Sequence, residues 1–265
     1  MFDLIEESGK DLKKHGYRVR STGKFGVSQA FLAIESEEKS REVGLAKGEY
    51  YIINSPFLHE LQDENEIYLS KKIAKILREV LKEKNINKSD KILLACLGNP
   101  NIEGDRLGKE VFDRVEFSTF DKKPHLFKFC PNIYLFTGVE TAEIIKMFVK
   151  FLKIKGVIII DSLATTSLSR LGKSFQITTT GMTPGSGVTR FGKAISEADL
   201  DAKCISIGVP FLLSSQAITK DEGEIFLVPK DVSEQVARIG KIIANALNEV
   251  MKWITIFWFL LWLFF

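Results

Sequence analysis

The sequence predicts an α/β fold in which a largely parallel sheet is covered by helices on both faces. Two observations carry this expectation. Residues 91–97 (KILLACL), 157–160 (VIII) and 204–209 (CISIGV) are short, almost unbroken apolar runs, the pattern of strands buried on both faces. Between and around them lie amphipathic stretches of helical period, and strands alternating with helices build parallel sheets.

Taken in order, residues 1–60 hold glycine-punctuated apolar stretches, QAFLAIE and YYIIN, that read as short strands, with a turn at Lys47-Gly48-Glu49-Tyr50. Residues 64–84 place Leu69, Ile73, Ile76, Leu77, Val80 and Leu81 on one helical face. The strand at 91–97 ends in Gly98-Asn99, and a glycine-rich turn leads to a helix over 106–115. A further helix opens at Thr137-Gly138-Val139-Glu140, carries Ile144, Ile145, Phe148 and Phe151, and ends at Gly156. The strand 157–160 follows and is expected to terminate at Asp161. Strands at 174–178 and 204–209 and an amphipathic helix over 232–250 complete the series.

A chain of 265 residues is long enough to bury a full core, and residues 1–250 are expected to form one α/β domain with a strand-rich part at 1–60. The 37 basic and 34 acidic side chains are dispersed, leaving a net charge of +3. Without a basic block or stripe, direct nucleic-acid binding is not expected. The three cysteines, Cys96, Cys130 and Cys204, show no paired spacing, which reads as reduced thiols in a cytoplasmic compartment. The N-terminus has no apolar stretch of signal-peptide length. Residues 253–265 (WITIFWFLLWLFF) are apolar but for Thr255 and too short for an ordinary membrane span. The tail 251–265 therefore reads as a packing or non-native segment ahead of a membrane contact.

Ligands of open α/β sheets bind beyond the carboxyl ends of the strands, and two acids fall there. Asp105 lies in the turn Leu97-Gly98-Asn99-Pro100-Asn101-Ile102-Glu103-Gly104-Asp105, and Asp161 follows four β-branched residues. Two carboxyls sharing a site split their proton affinities, so that one serves as base and the other as acid. Such a pair could activate water or hold a divalent metal. Either acid could equally be a helix cap or a turn former. Residues 178–188 (TTTGMTPGSGV) form a Gly/Thr loop whose N–H groups could line a ligand, though it matches no nucleotide motif. Histidines 15, 59 and 125 are scattered, which disfavours a Ser–His triad and a structural zinc. No cofactor or metal ligand set is expected.

The run Ile159-Ile160-Asp161-Ser162-Leu163-Ala164, then Ser167-Leu168-Ser169-Arg170-Leu171, Gln176-Ile177, and Thr180-Gly181-Met182-Thr183-Pro184-Gly185-Ser186-Gly187-Val188 resembles the core signature of the germination (spore) protease family. Leu97-Gly98-Asn99 with Asp105 and Leu107-Gly108 resembles its second signature. The stretches 137–146 (TGVETAEIIK) and 205–210 (ISIGVP) also match, and the resemblance runs in order over roughly residues 1–250. It implies a three-layer α/β/α sandwich of the phosphorylase/hydrolase-like kind, shared with hydrogenase maturation proteases. It also implies an endopeptidase that degrades small acid-soluble spore proteins in the spore core. Asp105 and Asp161 would be the catalytic acids, and Asn99, Glu140, Ser162, Thr180, Gly181, Gly185, Ser186 and Gly187 would line the cleft. The family assembles as homotetramers and is made as a zymogen. Residues 2–7 (FDLIEE) resemble the start of its mature form, which implies a chain without that propeptide.

Three departures stand out. Thr179 replaces a family Asp, residues 211–215 (FLLSS) lack the Asp that usually follows Gly-Val-Pro, and Pro-Asn-Ile-Glu-Gly precedes Asp105 in place of a Trp-Asn-Val-Thr-Pro pattern. They leave two alternatives open: a protease of the hydrogenase-maturation type with a single partner, and a catalytically degenerate homologue that binds protein or peptide.

Overall fold

The computed structural model describes residues 4–7, 12–20, 23–55, 63–87, 89–116, 119–120, 123–131, 138–183, 193–215 and 225–262, with the backbone alone described at 20, 119–120, 123–124 and 253–262. A 3-10 turn, Ile5–Glu7, precedes three antiparallel strands, β1 (Arg18–Arg20), β2 (Ser28–Ile34) and β3 (Gly48–Asn54). Between β2 and β3 lies α1 (Glu37–Val43), capped by the Ser36 side chain at its start and closed by Gly44 in the left-handed conformation (φ 75°). Helix α2 (Asp63–Glu83) follows with Leu69, Ile73, Ile76, Leu77, Val80 and Leu81 all buried, the face expected from their spacing.

Next come β4 (Ile92–Cys96), a 3-10 turn at Glu103–Asp105, α3 (Leu107–Arg114), the small strands β5 (Thr119–Phe120) and β6 (Lys123–Pro124), and β7 (Leu126–Phe129). Helix α4 (Thr141–Leu152) leads to β8 (Gly156–Thr165), which is followed by β9 (Ser174–Thr178), the one-turn α5 (Glu197–Leu200), β10 (Lys203–Ser214) and β11 (Phe226–Leu227). The last helix, α6 (Val232–Trp262), begins where the sequence places it and continues through 250 into the apolar tail. Among the described residues, no helix is long and apolar enough to cross a membrane.

The main sheet has the order β1-β2-β3-β9-β10-β8-β4-β7, with β11 also on β10. Strands β7, β4, β8 and β10 form a parallel block, while β9 joins β10 antiparallel and β3, β2 and β1 continue in that sense. Alternate residues divide the core into two layers. Leu94, Cys96, Ile158, Ile160, Ile205 and Ile207 pack with α2, α3 and α6 on one face. Leu93, Ala95, Val157, Ile159 and Cys204 pack with α4 and α5 on the other. The result is the three-layer α/β/α arrangement, and burial on both faces accounts for the unbroken apolar runs.

One expectation is corrected. Strand β8 does not stop at Asp161 but runs on to Thr165, because the longer β10 pairs with it as far as Leu213↔Thr165. On the other side β4 pairs with β8 only through Cys96↔Ile160, and the Leu97 N–H closes that ladder on the Ile160 carbonyl at 2.7 Å. Asp161 therefore lies within a strand at the point where its ladder becomes one-sided.

Gly108 allows α3 to start directly on the end of β4. A Cβ there would overlap the Leu97 carbonyl oxygen and lie 2.7 Å from the Cys96 carbonyl carbon. Backbone atoms cannot yield as a side-chain tip would, so Gly108→Ala should cost about 2 kcal/mol or more in urea or thermal unfolding. A melting curve unchanged from the parent's would show that α3 is not seated on β4 in this way.

Candidate active site

The turn after β4 is built around two glycines. Gly98 has φ 99°, a region that favours glycine, and a Cβ on it would overlap the Asp105 carbonyl oxygen and approach Asp105 Oδ1 at 3.1 Å. The chain thus folds back on itself so that the Asp105 carboxyl rests against the Gly98 backbone. The Asn99 N–H donates to Asp105 Oδ2 (2.8 Å), and the Asn101 N–H donates to Asn99 Oδ1 (3.0 Å). Further bonds from Ile102 N–H to the Asn99 carbonyl and from Asp105 N–H to the Ile102 carbonyl close the loop. At Gly104 a side chain would meet Val228 Cγ1 at 2.8 Å and Leu212 Cδ2 at 3.0 Å. The turn is therefore pressed against the end of β10, and it also packs on β8 and α6.

Burial raises the proton affinity of Asp105, pushing its pKa up to about 6, and the Asn99 N–H offsets only part of that rise. Asp161 is buried, and its Oδ1 accepts the Ser162 N–H at 2.9 Å. Strand alternation puts Asp161 on the face of Ile159, under α4 and α5, and Ser162 on the face of Ile160. The Ser162 hydroxyl is buried without a hydrogen-bond partner among the described residues. Asp161 stands opposite Gly208 on β10, where any side chain would strike Leu163 at 2.5 Å. The Cys96↔Ile160 register sets the Gly98–Asp105 turn against the part of β8 that begins at Asp161. Both acids belong to the carboxyl-end rim of the parallel block.

Two other expected residues share this rim. Asn99 holds Asp105, and Glu140 sits at the N-cap of α4, the helix that descends from the rim to the start of β8. Thr180 and Gly181 do not. Since β9 runs antiparallel to β10, its last residue Thr178 pairs with Ser206 near the start of β10, so Thr180 and Gly181 emerge at the opposite edge. There the Thr180 hydroxyl meets the Thr178 hydroxyl (3.1 Å), and Gly181 (φ 82°) packs on the Ile195 backbone. Lys193 pairs with Glu143 in the first turn of α4 at 2.7 Å. Gly185, Ser186 and Gly187 lie outside the described residues.

The departures from the family pattern also find places. Thr179 is at the far edge, its hydroxyl accepting the Glu49 N–H (2.9 Å) and its own N–H bonding the Glu49 carbonyl (3.0 Å). Phe211, the first residue after Pro210, is fully buried in the core shared with α6. Burial pushes the Cys204 thiol up to about 12 and raises that of Cys96 well above its ordinary value, so neither is a nucleophile. His125 precedes β7 at the opposite edge and His15 pairs with Glu42 at 3.6 Å; His59 is outside the described residues. The sequence pattern did not reveal that Glu7 reaches the rim, where it binds Thr165 and Thr166; its spacing from them gives no local signal.

Fold and rim define a three-layer α/β/α protein with two acids at the carboxyl-end rim of its parallel strands. Its family is more specific: the profile of the germination protease family, a peptidase family, matches residues 4–227. The chain belongs to that family. It is 32% identical to a germination protease of Caldanaerobacter subterraneus over 240 residues, which is 86% of this chain and 72% of the relative. A germination protease of Clostridium tetani is 27% identical over 304 residues, 93% of this chain and 90% of the relative. One of Priestia megaterium is 30% identical over 236 residues, 85% of this chain but 63% of that longer protein. Among solved structures, a nickel–iron hydrogenase maturation protease of Thermococcus kodakarensis aligns with TM-score 0.35 and 19% identity over 60% of this chain and 92% of its own, a likeness too slight to bear on the site.

The raised pKa of Asp105 has a stability consequence. Its folded-state pKa of about 6 lies above the ordinary carboxylate value, so the folded protein binds the proton more tightly than the unfolded chain does. The contribution is present in full below about pH 4 and is lost as pH rises through about 6. Asp105→Asn keeps an oxygen for the Asn99 N–H and removes the buried charge. It should therefore raise the melting temperature by a few degrees, on the order of 1 kcal/mol, at pH about 7.5 and leave it unchanged near pH 4. Equal melting at both pH values would show that Asp105 ionises as a solvated acid.

Proposed function

We propose that this chain is an endopeptidase of the germination protease type that cleaves small acid-soluble spore proteins in the spore core, with Asp105 and Asp161 as its working carboxyls. The observation that carries the reading is the rim itself. A carboxyl with a pKa near 6 lies in the turn that packs on β8, the strand that carries a second, buried carboxyl. An acid protonated part of the time near neutrality suits donation to a departing amine. Asp161, in its carboxylate form, accepts a proton from water as the water oxygen attacks the scissile carbonyl. Asp105 then donates its proton to the amine nitrogen as the C–N bond breaks, and proton exchange with solvent restores both groups. Neither sequence departure at Thr179 or Phe211 removes a group from this pair, since one residue caps the far edge and the other fills the core.

The homo-oligomer implied by the family has a surface to use. On α4, Met147 and Phe151 lie one turn apart and are 68% and 84% exposed, a costly display for a lone molecule. Phe151→Glu should reduce the particle mass measured by light scattering to that of a smaller species. An unchanged mass would remove α4 from the interface.

Incubation of the purified protein with a small acid-soluble spore protein should give defined fragments. Asp105→Asn and Asp161→Asn should each lower kcat by about 10²–10⁴-fold. With Asp105 as the proton donor, the rate should fall as pH rises above about 6, the value set by its burial. A folded parent that cuts no such substrate, or an Asp161→Asn variant that cuts as fast as the parent, overturns the proposal.

A further inference from the structure

The N-terminal turn Ile5–Glu7 is fastened to the end of the strand that carries Asp161. Ile5 is buried, and its N–H donates to Gln176 Oε1 on β9 at 2.9 Å. The Glu7 side chain is only 5% exposed. Its carboxylate accepts the Thr166 N–H and the Thr166 hydroxyl, both at 2.9 Å, as well as the Thr165 hydroxyl, and Arg170 Nη1 lies 3.7 Å away. Glu6 completes the cluster by pairing with Arg170 Nε at 3.3 Å and accepting the Tyr17 hydroxyl. A buried carboxylate is costly unless donors surround it, and here they come mainly from one place, the last residue of β8 and the residue after it.

That place matters because of how β8 is held. Among the described residues the strand beyond Ile160 is laddered to β10, and that ladder slips between Pro210 and Leu212. The Asp161 carboxyl accepts the N–H of Ser162, so its direction is tied to the backbone of this stretch. Glu7 holds its end from the N-terminal turn.

We propose that Glu7 is a positioning residue for Asp161: by clamping Thr165 and Thr166 it fixes the rim end of β8 and thereby the direction of the Asp161 carboxyl. The proposal rests on the reading of Asp161 as a working carboxyl, but its test does not depend on cleavage. A misdirected carboxyl changes its hydrogen bonding and hence its proton affinity, and small displacements of a reacting group are expensive in rate. Loss of stability alone would do neither.

The experiment compares the full-length parent with Glu7→Gln, which keeps the side-chain shape, and with Glu66→Gln. Glu66 is a control of like burial, held by Lys241 at 2.8 Å and Arg238 at 3.6 Å on the α2–α6 side. Thermal melting, carboxyl carbon NMR titration of Asp161, and kcat and KM on a small acid-soluble spore protein are measured for each. Glu7→Gln should shift the Asp161 midpoint by about half a pH unit or more and lower kcat about 10-fold with KM within about 2-fold. Glu66→Gln should lose stability and leave midpoint and kcat at parental values. Thr166→Val, which deletes one donor and spares Glu7, should shift the midpoint in the same direction by less, and it serves where Glu7→Gln does not fold. An Asp161 midpoint that moves in neither variant, or moves equally in Glu66→Gln, overturns the clamp. A parent that fails to cleave while the midpoint shifts as stated defeats the peptidase reading and leaves the clamp standing.

Discussion

Strand β8 is hydrogen-bonded unequally on its two sides, and the rest of the rim depends on that inequality. Toward β10 its ladder continues to Thr165; toward β4 it ends at Ile160. The turn from Gly98 to Asp105 follows β4 there, packs on β8 and β10, and brings a carboxyl with it. The glycines at 98, 104 and 108 are there because backbone or packed side chains stand where a Cβ would be. The position of Asp105 and its raised proton affinity are consequences of the same packing, since the burial that seats the turn also desolvates the acid.

The antiparallel half of the sheet serves the site indirectly. Strand β9 turns back along β10, and β3, β2 and β1 extend the sheet away from the parallel block. This reversal sends Thr179, Thr180 and Gly181 to the edge remote from the acids, where Lys84 binds Glu197 and the Thr179 carbonyl. It also leaves the start of β9 beside the rim, where Gln176 receives the N-terminal turn. Segments far apart in sequence thus meet: residues 5–7 with the end of β8, and Lys193 with the first turn of α4.

Much of the architecture was legible from periodicity. The helices at 63–83 and 232–250 show continuous apolar faces, and the strands at 92–96, 156–160 and 203–209 are apolar runs without alternation, because each is sandwiched between two helix layers. The end of β8 was not legible. Asp161-Ser162 looks like the polar terminus of a strand, yet the ladder to β10 carries it onward, and pairing partners are a property of the assembled sheet rather than of one segment. The edge at which the Gly/Thr loop begins was not legible for a related reason: the sense of β9 puts Thr180 and Gly181 at the far edge. Glu7 was invisible, because its donors lie more than 150 residues away.

By itself, the sequence determined the α/β class, the two-faced burial of the central strands, the family, and the choice of Asp105 and Asp161 as the acids to watch. These follow from local patterns: apolar period, glycine spacing, and acids beside strand ends. Tertiary structure alone decided that β4 stops short while β8 runs on, that Asp105 is desolvated where its turn packs on the sheet, and that Thr180 and Gly181 fall at the far edge. It alone brought the N-terminal carboxylate of Glu7 to the end of the Asp161 strand. The physical reason is common to all of these. Hydrogen-bond register and desolvation depend on which segments become neighbours, and that is settled only when the sheet closes around its core.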